Sequence, residues 1–352
     1  MRSLGIVVLA LFVAAAAAFA GWANFEMSYT YKGYAAPSET VDIPRGTSRS
    51  GIASLLVKEG VIRNRLAFEA YERLHQRQPL QAGEYLFDHP LNPRDVFWMI
   101  ARGRVYVHTV TVPEGWTMFD IAGALEREGL CRREEFLAAA RDTSLVRDIA
   151  PQAQNLEGFL FPASYEFTKH ATAEQIAAAL VARFRAVWEE LPHQGTAGGG
   201  ALETVALASL VERETPVAAE RPLVAGVFYN RLRRGMPLQC DPTVQYALEL
   251  AGRPTPSVTP ADLRIPSPYN TYLHAGLPPG PIANPGEASL RAALDPAATD
   301  DLYFVANTHG GHFFSKTLAE HNRNVTRYRR LLNGEDDAPP KPEPKKHHRS
   351  LH

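Results

Sequence analysis

Two features of this 352-residue sequence could carry chemistry. The first is a carboxyl group at the end of a nearly apolar helix. Residues 201–214 read ALETVALASLVERE, with Leu202, Val205, Leu207, Leu210 and Val211 on both sides of a helix of that length. At 100° per residue Glu212 shares a face with Val205, Ala208 and Ser209, and Glu214 points about 160° away, toward Leu207 and Leu210. Burial disfavours the ionised form of a carboxyl and raises its pKa. An acid that stays protonated near neutrality is what a glycosidase needs to protonate a leaving oxygen. Either glutamate could instead be solvated, or paired with Arg213, Arg221 or Arg231, and spacing alone does not choose between these readings.

The second feature is the Pro-, Gly- and Asn-rich segment 254–286, whose core is SPYNTYLHAGLPPGPIANPG. Long loops inside a compact domain are usually functional. Aromatic faces can stack on pyranose rings while amides bond hydroxyl and N-acetyl groups. On that ground Tyr269, Asn270, Tyr272 and Asn284 are expected in a sugar cleft. The alternative is a loop that simply closes over the core. Other chemistries find less support. His309 and His312 lack the helical HExxH setting of a zinc site. Ser209, Ser267 and Ser315 lack a G-x-S-x-G elbow. Asp241 before Pro242 reads as a helix start. No metal or other cofactor is expected.

These residues must be positioned by an α+β framework, since there is neither βαβ alternation nor a GxGxxG or P-loop motif. Residues 135–190 read as helical, interrupted by a strand-like stretch at 159–167. A glycine-rich loop at 195–200 precedes the apolar helix. A second helix is expected over 218–234 and another near 288–293. Strands are expected at 302–306 and 312–314, and a last helix runs from 318 to 332. The Pro- and charge-rich tail, 333–352, is expected to be disordered.

Before this lies a repeat. Val41-Asp42-Ile43-Pro44-Arg45-Gly46 returns 69 positions later as Val110-Thr111-Val112-Pro113-Glu114-Gly115, and the register holds through Arg63 and Arg132. Each copy reads as strand, turn and helix. A weaker echo pairs 83–87 with 158–162. Such units suggest LysM-like modules that hold N-acetylglucosamine-containing glycans; a packing scaffold without sugar contact is an equal alternative.

At the N-terminus, Arg2 precedes an uncharged run from 4 to 25, closed by Trp22 and Phe25. About 20 apolar residues can span a bilayer, and this run is longer than the hydrophobic part of most signal peptides. A single-pass anchor is therefore expected, with Ala18-Phe19-Ala20 as the cleavage alternative. Either way the rest of the chain lies outside the cytoplasm. The net charge of −1 gives no reason to expect nucleic acid as a partner. Cys131 and Cys240 are too remote in sequence to imply a disulfide. The expected organisation is an anchor at 1–25, a linker at 26–40, a LysM-like repeated region at 41–150, a catalytic domain at 151–332 and the tail.

Several long co-linear stretches resemble the endolytic murein transglycosylase (YceG-like) family. They are LASLVERET (207–215), Glu220-Arg221, VFYNRL (227–232), GMPLQCDPT (235–243), the 267–286 loop and LEGFLFP (156–162). Tyr303-Phe304-Val305 and Gly311-His312-Phe313-Phe314 add to them, and the resemblance runs from the anchor to about residue 330. It implies an inner-membrane protein with an extracytoplasmic catalytic region acting on peptidoglycan glycan strands, with penicillin-binding protein synthases as partners. It also implies lytic cleavage between N-acetylmuramic acid and N-acetylglucosamine, with Glu212 as the catalytic glutamate. Asn230, Gln239 and Asp241 join the expected cleft residues. Cys240 departs from the small hydroxyl residue expected there, which puts one hydrogen bond near Asp241 in doubt.

Overall fold

The computed structural model describes residues 2–192 and 200–334. The glycine-rich positions 195–199 and the tail beyond 334 lie outside the described residues. The chain forms two compact units. The first takes residues 1–110, 124–132 and 164–176, and the second takes 111–123, 133–163 and 177–352.

Unit 1 begins with helix α1, Arg2–Ser28. Its stretch Leu4–Ser28 is long and apolar enough to cross a membrane, which is compatible with a single-pass anchor. Its last turns are tied to the domain: Met27 joins the buried core, and Arg63 donates to Glu26 through Nη2 at 2.7 Å. Strand β1 (Glu39–Ile43), helices α2 (Arg49–Lys58) and α3 (Arg65–Leu74), strand β2 (Gly83–Phe87) and helix α4 (Pro93–Ala101) follow. Ser48, Asn64 and Asn92 cap α2, α3 and α4 through side-chain oxygens, which satisfies N–H groups that a helix start leaves free. β1 and β2 pair antiparallel, Val41 facing Tyr85. Val41, Ile43, Tyr85 and Phe87 turn inward onto Leu56, Phe68 and Phe97, as period-two strands and amphipathic helices require.

The second copy of the repeat opens with strand β3 (Val107–Thr111) and helix α5 (Met118–Arg127), followed by helix α6 (Arg133–Ala139) and strand β4 (Ser164–Thr168). β3 and β4 pair. The expected strand-turn-helix is therefore half of a larger strand-helix-helix-strand unit, present twice. The strand-like reading of 159–167 needs correction, because only its last part is a strand. The amides of Gly158 and Leu160 are instead taken by the side chain of Asn284, at 2.8 and 2.9 Å. Gly158 has φ +86, and a Cβ there would overlap Pro281 and Val205.

Unit 2 adds helices α7 (Ala173–Glu190), α8 (Ala201–Glu214), α9 (Arg221–Arg233), α10 (Asp241–Leu250) and α11 (Glu287–Leu294). The hairpin β5 (Tyr303–Ala306) and β6 (His312–Ser315) and helix α12 (Leu318–Leu332) complete it. The helix expected over 218–234 is shorter. A 3-10 turn occupies Ala218–Glu220 and α9 starts at Arg221, where Pro222 fits a first turn that needs no N–H. α8 is buried on every side from Thr204 to Val211. Cys131 and Cys240 form no disulfide.

Within unit 1, Glu84 on β2 is bound by His108 of β3 at 2.7 Å and Lys169, just after β4, at 2.8 Å. Burial opposes its ionisation, but the hydrogen bonds from Lys169 and His108 outweigh this and hold its carboxyl below the usual range. A carboxyl with a depressed folded pKa contributes stability above its unfolded pKa and loses it as pH falls. Glu84→Ala is therefore expected to lower the melting temperature clearly at neutral pH and much less below pH 4.5. Thermal unfolding of wild type and variant at the two pH values checks this.

Candidate active site

Glu212 sits in the last turn of α8, with its side chain only 5% exposed. Its Oε1 accepts from Arg221 Nη2 at 2.9 Å. Its Oε2 accepts from the backbone N–H of Gly286, the N-cap of α11, also at 2.9 Å. The hydroxyl of Ser289, one turn into α11, is buried facing it. Burial is the largest influence on the carboxyl and raises its pKa. The Gly286 amide, Ser289 and Arg221 pull it down, Glu114 pushes it up, and the net shift is upward. The alternative of pairing with Arg221 is thus real, but it coexists with burial rather than replacing it.

Arg221 is itself buried, 9% exposed, and the same Nη2 also faces Glu114 Oε2 at 3.3 Å. Glu114 is about half exposed and lies on the turn between β3 and α5. A cavity of about 420 Å³ opens here, lined by Glu114, Gly115, Glu212, Arg213, Pro216 and Arg221. Arg213 also lines a second hollow of about 280 Å³ that holds Thr117, Asp120, Gln245 and Glu249. Another cavity, about 890 Å³ along α9, contains neither Glu212 nor Arg221.

The opposite face of α8 holds a separate cluster. Glu214 lies beside Cys240, and burial raises both groups, the thiol well above its ordinary value. Glu220 is taken up by His312, through N–H at 2.9 Å and Nδ1 at 2.7 Å, and by the Thr215 hydroxyl. This ties the start of α9, and so Arg221, to the β5–β6 hairpin. It also accounts for His312, one of the two histidines weighed as metal ligands.

The expected cleft residues fall into two groups. Asn270, Asn284 and Asn230 have buried side chains that hydrogen-bond within the protein. Asn270 Nδ2 donates to Leu263 and Ile265 carbonyls. Asn230 Nδ2 donates to Thr299 and Asp301 carbonyls. Asn284 accepts from Gly158 and Leu160 and donates to the Trp116 carbonyl and Glu157. Tyr269 is buried against Tyr246, with ring centroids 5.0 Å apart. A loop without regular backbone pairing must satisfy its polar groups somewhere, and here its asparagines do so. In contrast, Gln239 and Asp241 are exposed, and Asp241 accepts from the half-buried Tyr272 hydroxyl. None of the seven lines the cavity at Glu212. At Cys240 the backbone N–H donates to Thr271 Oγ1 at 3.0 Å, and the thiol lies against Glu214.

Three residues of the site were not singled out from sequence as functional: Glu114, Gly286 and Glu157. For Glu114 a signal existed, since the first copy of the repeat has Arg45 at that position and only the second carries an acid. Gly286 acts through its backbone, which leaves no side-chain signature. Glu157 is fully buried. Both its oxygens accept from Met118 N at 3.0 Å, and Oε1 accepts from Asn284 at 2.8 Å. It therefore braces the loop that delivers Gly286.

Residues 41–327 match the YceG-like family. The chain is 36% identical over 305 residues to the endolytic murein transglycosylase of Bacillus subtilis (strain 168), spanning 82% of this chain and 84% of that protein. Against the endolytic murein transglycosylase of Streptococcus pneumoniae serotype 2 (strain D39) it is 31% identical over 323 residues. That match spans 82% of this chain and 58% of the relative's length. The fold is similar to the crystal structure of a putative YceG-like protein from Listeria monocytogenes, with a TM-score of 0.52 at 34% identity. It covers 81% of this chain and 98% of that one.

Burial drives the Glu157 carboxyl up to about 8 from an ordinary value of 4.5. Between those two values the folded protein holds a proton that the unfolded chain has lost, so stability falls as pH rises through the window. Glu157→Gln keeps the neutral shape and is expected to remove much of that decline. Denaturant midpoints of wild type and variant across the window test it, and parallel curves would exclude a protonated Glu157.

Proposed function

The chain belongs to the YceG-like family, and on that premise we propose that it cuts peptidoglycan glycan strands internally as a lytic transglycosylase, with Glu212 as the acid. The observation that carries this reading is a buried carboxyl, raised in pKa by burial, that borders a solvent cavity and is held by one cation and one backbone amide. The names of the two transglycosylase relatives support the substrate class.

In the proposed reaction Glu212 protonates the oxygen of the β-1,4 bond between N-acetylmuramic acid and N-acetylglucosamine. The bond from C1 to that oxygen breaks with oxocarbenium character, and N-acetylglucosamine leaves with the proton. Glu212, now a carboxylate, takes the proton from the muramic acid C6 hydroxyl as that oxygen attacks C1. A 1,6-anhydro ring closes, the acid is regenerated and no water is consumed. The Arg221 and Gly286 bonds stabilise the carboxylate stage, because charge-assisted hydrogen bonds are the strong ones. No cofactor is required.

Around this centre, α1 would anchor the protein in the cytoplasmic membrane with both units outside the cytoplasm. The β1-α2-α3-β2 order, with its antiparallel strands, supports a LysM-like, glycan-holding role for unit 1. Gln239, Asp241 and Tyr272 remain the exposed candidates for more distant sugar contacts. Strands fresh from a penicillin-binding protein synthase are the natural substrate for a membrane-held enzyme.

Hydrolysis is the second reading, and Glu114 favours it by placing another carboxylate in the same cavity. Two other carboxylates of unit 2 are engaged elsewhere, Glu220 with His312 and Asp241 with Tyr272. Mass spectrometry of products from purified glycan strands separates the readings: anhydro ends for the lytic reaction, reducing ends for hydrolysis. Glu212→Gln is expected to fold normally and lose at least about a hundredfold in rate, the scale of a general acid–base contribution. A variant cutting at near wild-type rate would remove Glu212 as the acid, and one that does not cut yet fully restores a deletion strain would favour a non-catalytic glycan-binding scaffold.

A further inference from the structure

Glu212 has to act first as an acid and then as a base, and a buried arginine at 2.9 Å works against the first of these roles. A cation that close, paired with nothing else, would favour the ionised carboxylate at all times. The same guanidinium nitrogen, however, also faces Glu114. We propose that Glu114 is a positioning residue that shares the charge of Arg221 and so leaves Glu212 free to hold its proton until substrate arrives. This rests on Glu212 being the acid, and it goes beyond that assignment by explaining how both of its protonation states are accommodated.

The charge balance supports this role. With Glu212 protonated, Arg221 and Glu114 neutralise each other, and no buried charge is left alone. Once Glu212 has given its proton away, the three groups carry one net negative charge, next to a sugar that is becoming positive. Arg221 then has both carboxylates within reach.

The backbone holds Glu114 to this task. Its neighbour Gly115 donates N–H to the Asn284 carbonyl at 2.9 Å, and the Gly115 carbonyl accepts from Arg213 Nη1 at 3.1 Å. The Glu114 carboxylate lies against Gly286, whose amide holds Glu212, so that a Cβ there would displace it. Other charged groups near Glu212 are otherwise occupied. Arg213 on α8 binds the Gly115 carbonyl and Gln245 of α10, and Glu287 and Arg291 on α11 pair with each other at its surface. From α11 only the Gly286 amide and the Ser289 hydroxyl face the carboxyl.

The test is the pH profile of kcat for the full-length chain in detergent on purified glycan strands, comparing wild type, Glu114→Gln and Glu212→Gln. An acid must be protonated to work, so activity falls as pH rises through its pKa. Removing the charge of Glu114 is expected to move that alkaline limb down by about one pH unit, roughly a tenfold loss above it, with rates preserved at acidic pH. Gly286→Ala should move the limb in the same direction by displacing Glu114, and it decides the matter if Glu114→Gln fails to fold. An unmoved limb in a folded variant overturns the proposal. So does loss of activity at every pH with an unchanged Tm, which would place Glu114 on the substrate. If wild type yields no anhydro ends, or Glu212→Gln remains active, it is the assignment of Glu212 that fails.

Discussion

The interaction on which the site depends is a carboxyl removed from water at the end of a buried helix. α8 is apolar on all sides, so whatever its last turn carries inward loses solvation. An unpartnered buried charge costs several kcal/mol, and a neutral acid with hydrogen-bond partners costs far less. The protein surrounds Glu212 with one cation, one amide and, through that cation, a second carboxylate. Arg221 and the Gly286 amide favour the carboxylate, whereas burial and Glu114 favour the neutral acid.

The loop over 254–286 shows how irregular backbone can be made rigid. Asn270 and Asn284 work as internal staples, and Ser209 of α8 accepts from the Ile282 amide at 3.0 Å. Through Asn284 and Glu157 the loop is fixed to the turn after β3 and to residues 156–160. The result of these bonds is the position of one N–H group, that of Gly286. A backbone donor held in this way needs no reorganisation when charge develops on its acceptor. Polar residues of this loop build the frame around the Glu212 carboxyl.

The duplicated strand-helix-helix-strand unit has diverged at its turn. In the first copy Pro44-Arg45-Gly46 is exposed at the surface of unit 1. In the second, Pro113-Glu114-Gly115 belongs to unit 2 and brings its acid to Arg221. The two copies differ here in carrying a basic and an acidic residue, and only the second turn is part of the candidate site.

The sequence by itself determined the apolar helix α8, the last helix α12 and the apolar segment at the N-terminus, because periodicity is a local property. It also determined that Glu212 and Glu214 point to different faces of one helix, since that follows from 100° per residue alone, and its motifs identified the family. Only the tertiary structure decided what each face meets. Arg221 and Glu114 are 107 residues apart in the chain, and Gly286 and Glu212 are 74 apart. Whether a carboxyl is dry, which cation it meets and whether an asparagine points at solvent or at a carbonyl are properties of the neighbours. Those neighbours come from distant segments whose approach no local pattern encodes, so the candidate glutamate was legible in the sequence while the groups around it were not.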